Sequence, residues 1–281
     1  MGKDFVFLRF PGFKRKAVTL SYDDGVRTDK ELIKILDEYG LKCTFNLNSG
    51  LFAKNEGELR LTEKEAAELY ANSGHEVAVH GFKHLSLTSV TEEAAVRDVI
   101  KDRENLERIF GKIIKGMAYA NGSFSENTME TLKKCGIEYA RTCVSTHGFG
   151  LPEEWLTLPA TCHHNDPDLF RLADEFINRE DSDYAWINSP MLFYLWGHSY
   201  EFRDNGNWSV IEEFAKKVGK RNDIWYATNG EIYEYVQAFD GLKWSVDYKF
   251  IYNPTDKDIY VDILGDKLVL KAGKTTVTKG F

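Results

Sequence analysis

A repeating alternation of short β-type runs with capped helical patterns constrains this 281-residue chain more than any other feature. Repetition of that unit specifies a parallel sheet with its helices packed outside it. Residues 17–22 read as the first strand. Thr28 and Glu31 then form a capping box, Leu32, Ile33, Ile35, Leu36 and Tyr39 supply an apolar stripe, and Gly40 closes the helix. Strands follow at 43–48 and 76–80, separated by a helix that Thr62 and Glu65 open and Gly74 ends. A long helix spans 91–110, and strands at 114–119 and 137–141 flank one that runs from Ser125 to Gly136. Asp166-Pro167 opens a helix through Ile177, 191–196 is the sixth strand, and Ser209 with Glu212 caps a helix ending at Gly219. Residues 223–227 make the seventh strand and 231–239 the last helix. Seven such units predict an α/β fold, a distorted (β/α)7 barrel over residues 1–240. Beyond Gly241 the pattern alternates with turns at Asn253-Pro254, Gly265-Asp266 and Gly273, which predicts a small β-rich appendage over 241–281.

Composition removes several function classes. The 36 Lys and Arg against 44 Asp and Glu leave a net charge of -8, the wrong sign for a nucleic-acid binder. Hydrophobic residues at 43% and charged residues at 28% exclude disordered and collagen-like chains. The longest apolar run, Met191 to Trp196, is far short of the roughly 20 residues of a membrane span. The first residues hold no secretory apolar core, so the expectation is a cytoplasmic protein, or a secreted one whose signal has been removed. Cys43, Cys135, Cys143 and Cys162 form no C-x-x-C pair and are expected to be buried free thiols.

In a parallel barrel the C-terminal strand ends open on one face, where catalytic residues gather. Those ends carry Asp23-Asp24-Gly25, His80 with His84, Asn121-Gly122, Arg141 and His198. Two imidazoles and one carboxylate suit a three-ligand zinc site with an open position for water, at about 2.0–2.2 Å per bond. Of the adjacent carboxylates, one can hold the ion while the other stays free as a base, because the Gly25 turn lets both face one side. The aromatics Tyr22, Trp196, Tyr200 and Phe202 are expected to flank the site, with Trp196 the strongest candidate to contact substrate.

These residues resemble the motifs of the polysaccharide deacetylases, the NodB-homology or carbohydrate esterase family 4 fold. The family's T-F-D-D-G appears as Ser21-Tyr22-Asp23-Asp24-Gly25 and its H-[ST]-x-x-H as His80-Gly81-Phe82-Lys83-His84. Its apolar strand ending in His appears as Leu195-Trp196-Gly197-His198, and the likeness covers about residues 15–240. The resemblance implies Asp24, His80 and His84 as ligands of a divalent metal, Asp23 as catalytic base and His198 as catalytic acid. Zinc suits that ligand set best, and cobalt or nickel also fit. It further implies removal of N-acetyl groups from a carbohydrate, with the oxyanion held by the metal and the Asn121 backbone N–H.

The chain departs from the pattern at Ala118-Tyr119-Ala120-Asn121-Gly122, where the family carries R-x-P-[YF]-G with an Arg that orients the catalytic Asp. Arg141, one strand later, is expected to take over that contact. No clean match to the family's fourth motif lies over 155–166, where Trp155 is a candidate for the pocket wall and His163 or His164 for substrate contact. The altered third motif keeps a second substrate class open, a small linear or cyclic amide such as a ureide or imide. An inactive carbohydrate-binding relative is the third reading. Neither nucleic acid nor a membrane span is expected, and oligomeric state stays open.

Overall fold

The structure, a computed structural model, describes residues 2–3, 5–182 and 188–279. Two short strands, β1 (Gly2–Lys3) and β2 (Val6–Arg9), precede a ring of parallel strands. The ring runs β3 (Lys16–Asp23), β4 (Cys43–Leu47), β5 (Glu76–Val79), β6 (Gly116–Ala118) and β7 (Tyr139–Ser145). A kinked pair, β8 (Leu158–Ala160) and β9 (Cys162–His163), and then β10 (Met191–Gly197) complete it. The helices between them are α1 (Asp29–Tyr39), α2 (Glu63–Ala71), α3 (Glu92–Phe110), α4 (Glu126–Lys134) and α5 (Leu169–Asn178). After β10 come α6 (Ser199–Asp204), α7 (Ser209–Val218), β11 (Ile224–Tyr226) and α8 (Asn229–Asp240).

Segment 158–163 closes the ring. Its first half pairs with β7 at Arg141↔Leu158, and its second half pairs with β10 at Trp196↔His163. The sequence reading placed the seventh stave at 223–227. That run instead forms β11, which pairs with the start of β3 at Ile224↔Lys16. Since β10 covers the other edge of β3 along its length, β11 and β4 share the remaining edge, with β4 joining at Leu20↔Cys43. Two expected caps also differ. The Thr28 hydroxyl bonds the Ser199 Oγ at 2.8 Å rather than its own helix, and α7 begins after Trp208 without a side-chain cap.

The period-2 alternation of β3 decides what faces the barrel interior. Val18, Leu20 and Tyr22 join the larger apolar core with the helices. Thr19, Ser21 and Asp23 point the other way, into a hydrogen-bonded interior. There Thr19 Oγ1 bonds Asn229 Oδ1 at 2.9 Å, Asn229 Nδ2 donates to the Tyr194 hydroxyl at 2.6 Å, and Asn46 Nδ2 donates to Ser21 Oγ at 2.8 Å.

The C-terminal residues form β12 (Lys243–Trp244), β13 (Phe250–Tyr252), β14 (Ile259–Ile263), β15 (Asp266–Leu270) and β16 (Thr275–Val277), all paired antiparallel. β14 pairs with β2 at Tyr260↔Arg9, so the two chain ends share a sheet. A buried ion pair of Arg9 with Asp262 at 3.2 Å fixes that join. Among the described residues, no helix is long and apolar enough to cross a membrane.

Candidate active site

β3 ends at Asp23, and both Asp24 (φ 86°) and Gly25 (φ 66°) turn into the left-handed region. Asp tolerates that region better than most residues. An extended strand would send neighbouring side chains to opposite faces; the turn brings both carboxylates to the mouth of the barrel. Asp23 is buried. Its Oδ1 accepts from Asn46 Nδ2 at 2.8 Å, and its Oδ2 accepts from Arg141 Nη2. His80 Nε2 and His198 Nε2 lie 3.7 and 3.9 Å from the same Oδ2. Burial alone would raise the Asp23 carboxyl, but the Arg141 guanidinium, with His80 and His198 behind it, holds it down to about 2.

His80 follows β5 and sets its Nδ1 2.9 Å from the Ala118 carbonyl oxygen. A carbonyl only accepts, so Nδ1 carries the proton and Nε2 presents its lone pair. That Nε2 is buried with no hydrogen-bond partner. His84 Nε2 lies 3.9 Å from Asp24 Oδ1, and the two imidazole rings are 4.7 Å apart at 77°. One donor atom from each of Asp24, His80 and His84 falls within 4.8 Å of the others. An unpartnered lone pair facing a carboxylate and a second imidazole fits a divalent transition metal.

The loop carrying both histidines is fastened by α3. Asp102 Oδ2 accepts from the His80 backbone N at 3.1 Å, and its Oδ1 accepts from Ser49 N and Oγ at 2.7 and 2.6 Å. Asp98 Oδ1 accepts from Lys83 N at 2.9 Å. Gly81 (φ 84°) is required here, since a Cβ would sit 2.6 Å from Asp98 Oδ2. Sequence reasoning missed both acids. The signal was available: Ala95, Asp98, Val99, Asp102 and Leu106 form one buried helical stripe, in which two carboxylates demand partners. Arg60 was also missed. It donates to Asp24 Oδ1 at 3.0 Å and to Asn48 Oδ1 at 3.1 Å from a loop with no motif to mark it.

On the opposite wall, His198 sets its Nδ1 3.2 Å from Glu201 Oε1 in α6, leaving Nε2 toward Asp23. Burial lowers the His198 pKa, but Glu201 and then Asp23 outweigh it and leave the imidazole more basic than usual. Glu201 Oε2 lies 2.9 Å from His164 Nε2 and 3.3 Å from His163 Nε2. Burial opposes ionisation of Glu201, yet the imidazoles of His164 and His198 hold its carboxyl well below the usual range. Burial, then the neighbouring His164, pushes His163 down to about 4. The Glu201 partnership was missed, although His198-x-x-Glu201 across a strand-to-helix turn is the spacing at which such pairs meet.

Trp196 stacks on the site from the interior face. Its ring lies 4.4 Å from Arg141 Cζ and meets the His163 ring edge-on at 4.6 Å.

Several expectations need correction. Tyr22 and Phe202 do not line the mouth: both are 0% exposed and pack against His164 behind the sheet. The alternation that turns Asp23 inward turns Tyr22 outward into the helix-side core. Asn121 is at the mouth, with φ 56°, but its side chain bonds Ser86 Oγ at 2.9 Å. Trp155 packs edge-on against Tyr233 at 5.2 Å in the second apolar core, away from the site. Cys43, Cys135 and Cys162 are buried, whereas Cys143 is exposed on β7, two residues beyond Arg141.

Residues 11–140 match the profile of the polysaccharide deacetylase family, a span that includes Asp23, Asp24, His80 and His84. Arg141, His198 and Glu201 lie outside it. A poly-β-1,6-N-acetyl-D-glucosamine N-deacetylase of Staphylococcus aureus is 26% identical over 167 residues, which is 55% of this chain and 55% of the relative. The chain thus matches only about half the length of the curated relatives. In three dimensions it resembles a candidate polysaccharide deacetylase from Mycobacterium smegmatis, with a TM-score of 0.61 at 21% identity over 83% of this chain and 94% of that one. A family 4 carbohydrate esterase from Streptomyces lividans, solved with acetate, gives a TM-score of 0.52 at 13% identity over 76% and 93% of the two chains. The family match over residues 11–140, the shared fold and the order of the motifs lead to one conclusion: the N-terminal half of the chain is similar to the polysaccharide deacetylases, and the chain shares their fold.

Proposed function

We propose that the chain is a metal-dependent hydrolase that removes N-acetyl groups from an amino-sugar polymer or oligomer, acting on a carbon–nitrogen bond outside peptides. One observation carries the reading: a carboxyl held down to about 2 and an imidazole held more basic than usual face each other at 3.9 Å, beside the Asp24, His80 and His84 donors. Two titratable groups pushed apart in this way take opposite roles, base and acid. The S. aureus relative, named for poly-β-1,6-N-acetyl-D-glucosamine, supports an N-acetylated glucosamine as the substrate class.

A divalent ion on Asp24, His80 and His84, zinc by the nature of the donors, supplies Lewis acidity toward the acyl oxygen and the attacking water when bound. Asp23, ionised and fixed by Arg141 and Asn46, accepts the proton of the attacking water. His198, held protonated by Glu201 at Nδ1, donates from Nε2 to the departing amine. Trp196 keeps Arg141 dry and pressed against Asp23. The Asn121 amide, in the turn after β6, is assigned to the developing oxyanion.

The test is mass spectrometry of N-acetylglucosamine oligomers incubated with zinc-loaded protein. Products that each carry a free amine in place of an acetamide support the proposal. Intact oligomers, with turnover of a ureide or imide instead, would overturn it.

A further inference from the structure

A second group of metal-binding side chains lies on the acid side of the site and shares no residue with Asp24, His80 and His84. Glu201 offers Oε1 3.2 Å from His198 Nδ1 and Oε2 3.3 Å from His163 Nε2. One donor atom from each of His163, His198 and Glu201 lies within 4.8 Å of the others. Donors on a tetrahedral zinc ion with bonds of about 2.0–2.2 Å sit roughly 3.4 Å apart, so no pair within the 4.8 Å limit must close by more than about 1.4 Å. The three side chains keep 21% to 23% of their surface exposed, which gives an ion a path in.

Behind them stands His164, fully buried, with Nε2 2.9 Å from Glu201 Oε2 but off the line of a hydrogen bond. Neither of its ring nitrogens has a hydrogen-bond partner. A buried imidazole left in this way is unfavourable, and an ion drawn to the same carboxylate is one of the few things that relieves it. Orienting His198 needs one carboxylate and one imidazole. Three imidazoles around Glu201 exceed that need.

We propose that His163, His198 through Nδ1, and Glu201 form a second divalent-ion site of zinc-class preference, with His164 as the reserve donor, and that filling it inhibits the enzyme. The ion takes the His198 Nδ1 lone pair in place of the proton that Nδ1 shares with Glu201, and that proton leaves to solvent. The ring can then no longer be an imidazolium, so its Nε2–H becomes a far weaker acid toward a departing amine. On His163 the ion takes Nε2 and the ring proton moves to Nδ1. The Asn165 backbone N–H, which donates to Nδ1 at 3.1 Å, exchanges that acceptor for water from its exposed position. The number of ions bound is independent of the proposed deacetylation; the inhibition rests on it.

Equilibrium dialysis of the chelated 281-residue chain against graded Zn2+, with ions counted per chain, tests the site. Two ions are expected, the second bound more weakly. Glu201→Gln and His163→Ala each keep the first ion and weaken the second by at least about 100-fold, the most that loss of even an outer partner costs. Retention of the first ion shows that each variant is folded. Asp24→Asn has the reverse effect. A wild-type chain that saturates at one ion, or Glu201→Gln and His163→Ala variants that still bind two, overturns the proposal. If Asp24→Asn binds as wild type does while Glu201→Gln loses an ion, the second site stands and the catalytic metal assignment fails. Acetate release that falls as the second ion binds supports the inhibitory role, and release that is unchanged refutes that role.

Discussion

Replacing Arg141 with methionine isolates the interaction on which the base depends. Arg141 is 0% exposed and its partner Asp23 2%, so Arg141→Met strands a carboxylate away from water while retaining apolar contact with Trp196. Breaking a buried pair costs about 3–5 kcal/mol. Asp23 has one escape, which is to take up a proton. For a carboxyl of ordinary pKa near 3.9, at 1.36 kcal/mol per unit, protonation costs about 4 kcal/mol at pH 7 and about 1.5 kcal/mol at pH 5. These costs set approximate ceilings on the destabilisation at each pH. The wild-type reference hardly moves between them. A carboxyl depressed to about 2 contributes stability that is complete above its ordinary value and lost only as pH falls through about 2. For 281 residues at about 2.1 cal/mol/K each, Tm falls by about 5–7 °C at pH 7 and about 2–3 °C at pH 5. Scanning calorimetry of chelated protein at the two pH values reads this directly. An equal loss at both, or less than about 2 °C at pH 7, refutes the reasoning.

Three further outcomes follow from buried contacts. Glu76, which accepts from Thr44 Oγ1 at 2.7 Å and Gly230 N at 2.9 Å, is pushed by burial up to about 7. A raised carboxyl favours the fold while protonated, so its contribution is complete below about 4.5 and lost as pH rises through about 7. Glu76→Gln therefore gains about 2–3 kcal/mol on wild type between pH 5 and pH 8, and a pH-independent difference in urea melts contradicts this. Asp102→Asn, which loosens the anchor of His80, weakens metal binding about 10–100-fold in chelator competition, and unchanged affinity contradicts that anchoring role. Gly197→Ala places a Cβ 2.0 Å from His164 Nδ1 and lowers stability by about 1–3 kcal/mol, whereas a neutral effect in calorimetry denies the tight packing there.

Where the local pattern and the fold agreed, the sequence was readable. The six strands from Ala17 to Trp196 and the gathering of polar residues at their ends follow from apolar runs, caps and glycines. The ring closure was not readable, because 158–163 carries Pro159 and a kink at Thr161, so it shows neither period nor length. The alternation Val18-Thr19-Leu20-Ser21-Tyr22-Asp23 already separates Tyr22 from Asp23, and giving it weight would have removed Tyr22 from the mouth. The partners of the site were harder to see. Glu201, Asp98, Asp102 and Arg60 belong to no motif, and each meets its target across a turn or between elements far apart in the chain.

The central claim is that Asp24, His80 and His84 hold a catalytic ion beside an Asp23 base. It is tested most directly by acetate release from an N-acetylglucosamine oligomer as chelated protein is titrated with Zn2+ up to one equivalent. The predicted result is no turnover without the ion, a rise that ends at one ion per chain, and an Asp23→Asn variant that binds the same ion yet stays silent. Turnover that survives chelation, or an Asp23→Asn variant as fast as wild type, would contradict it.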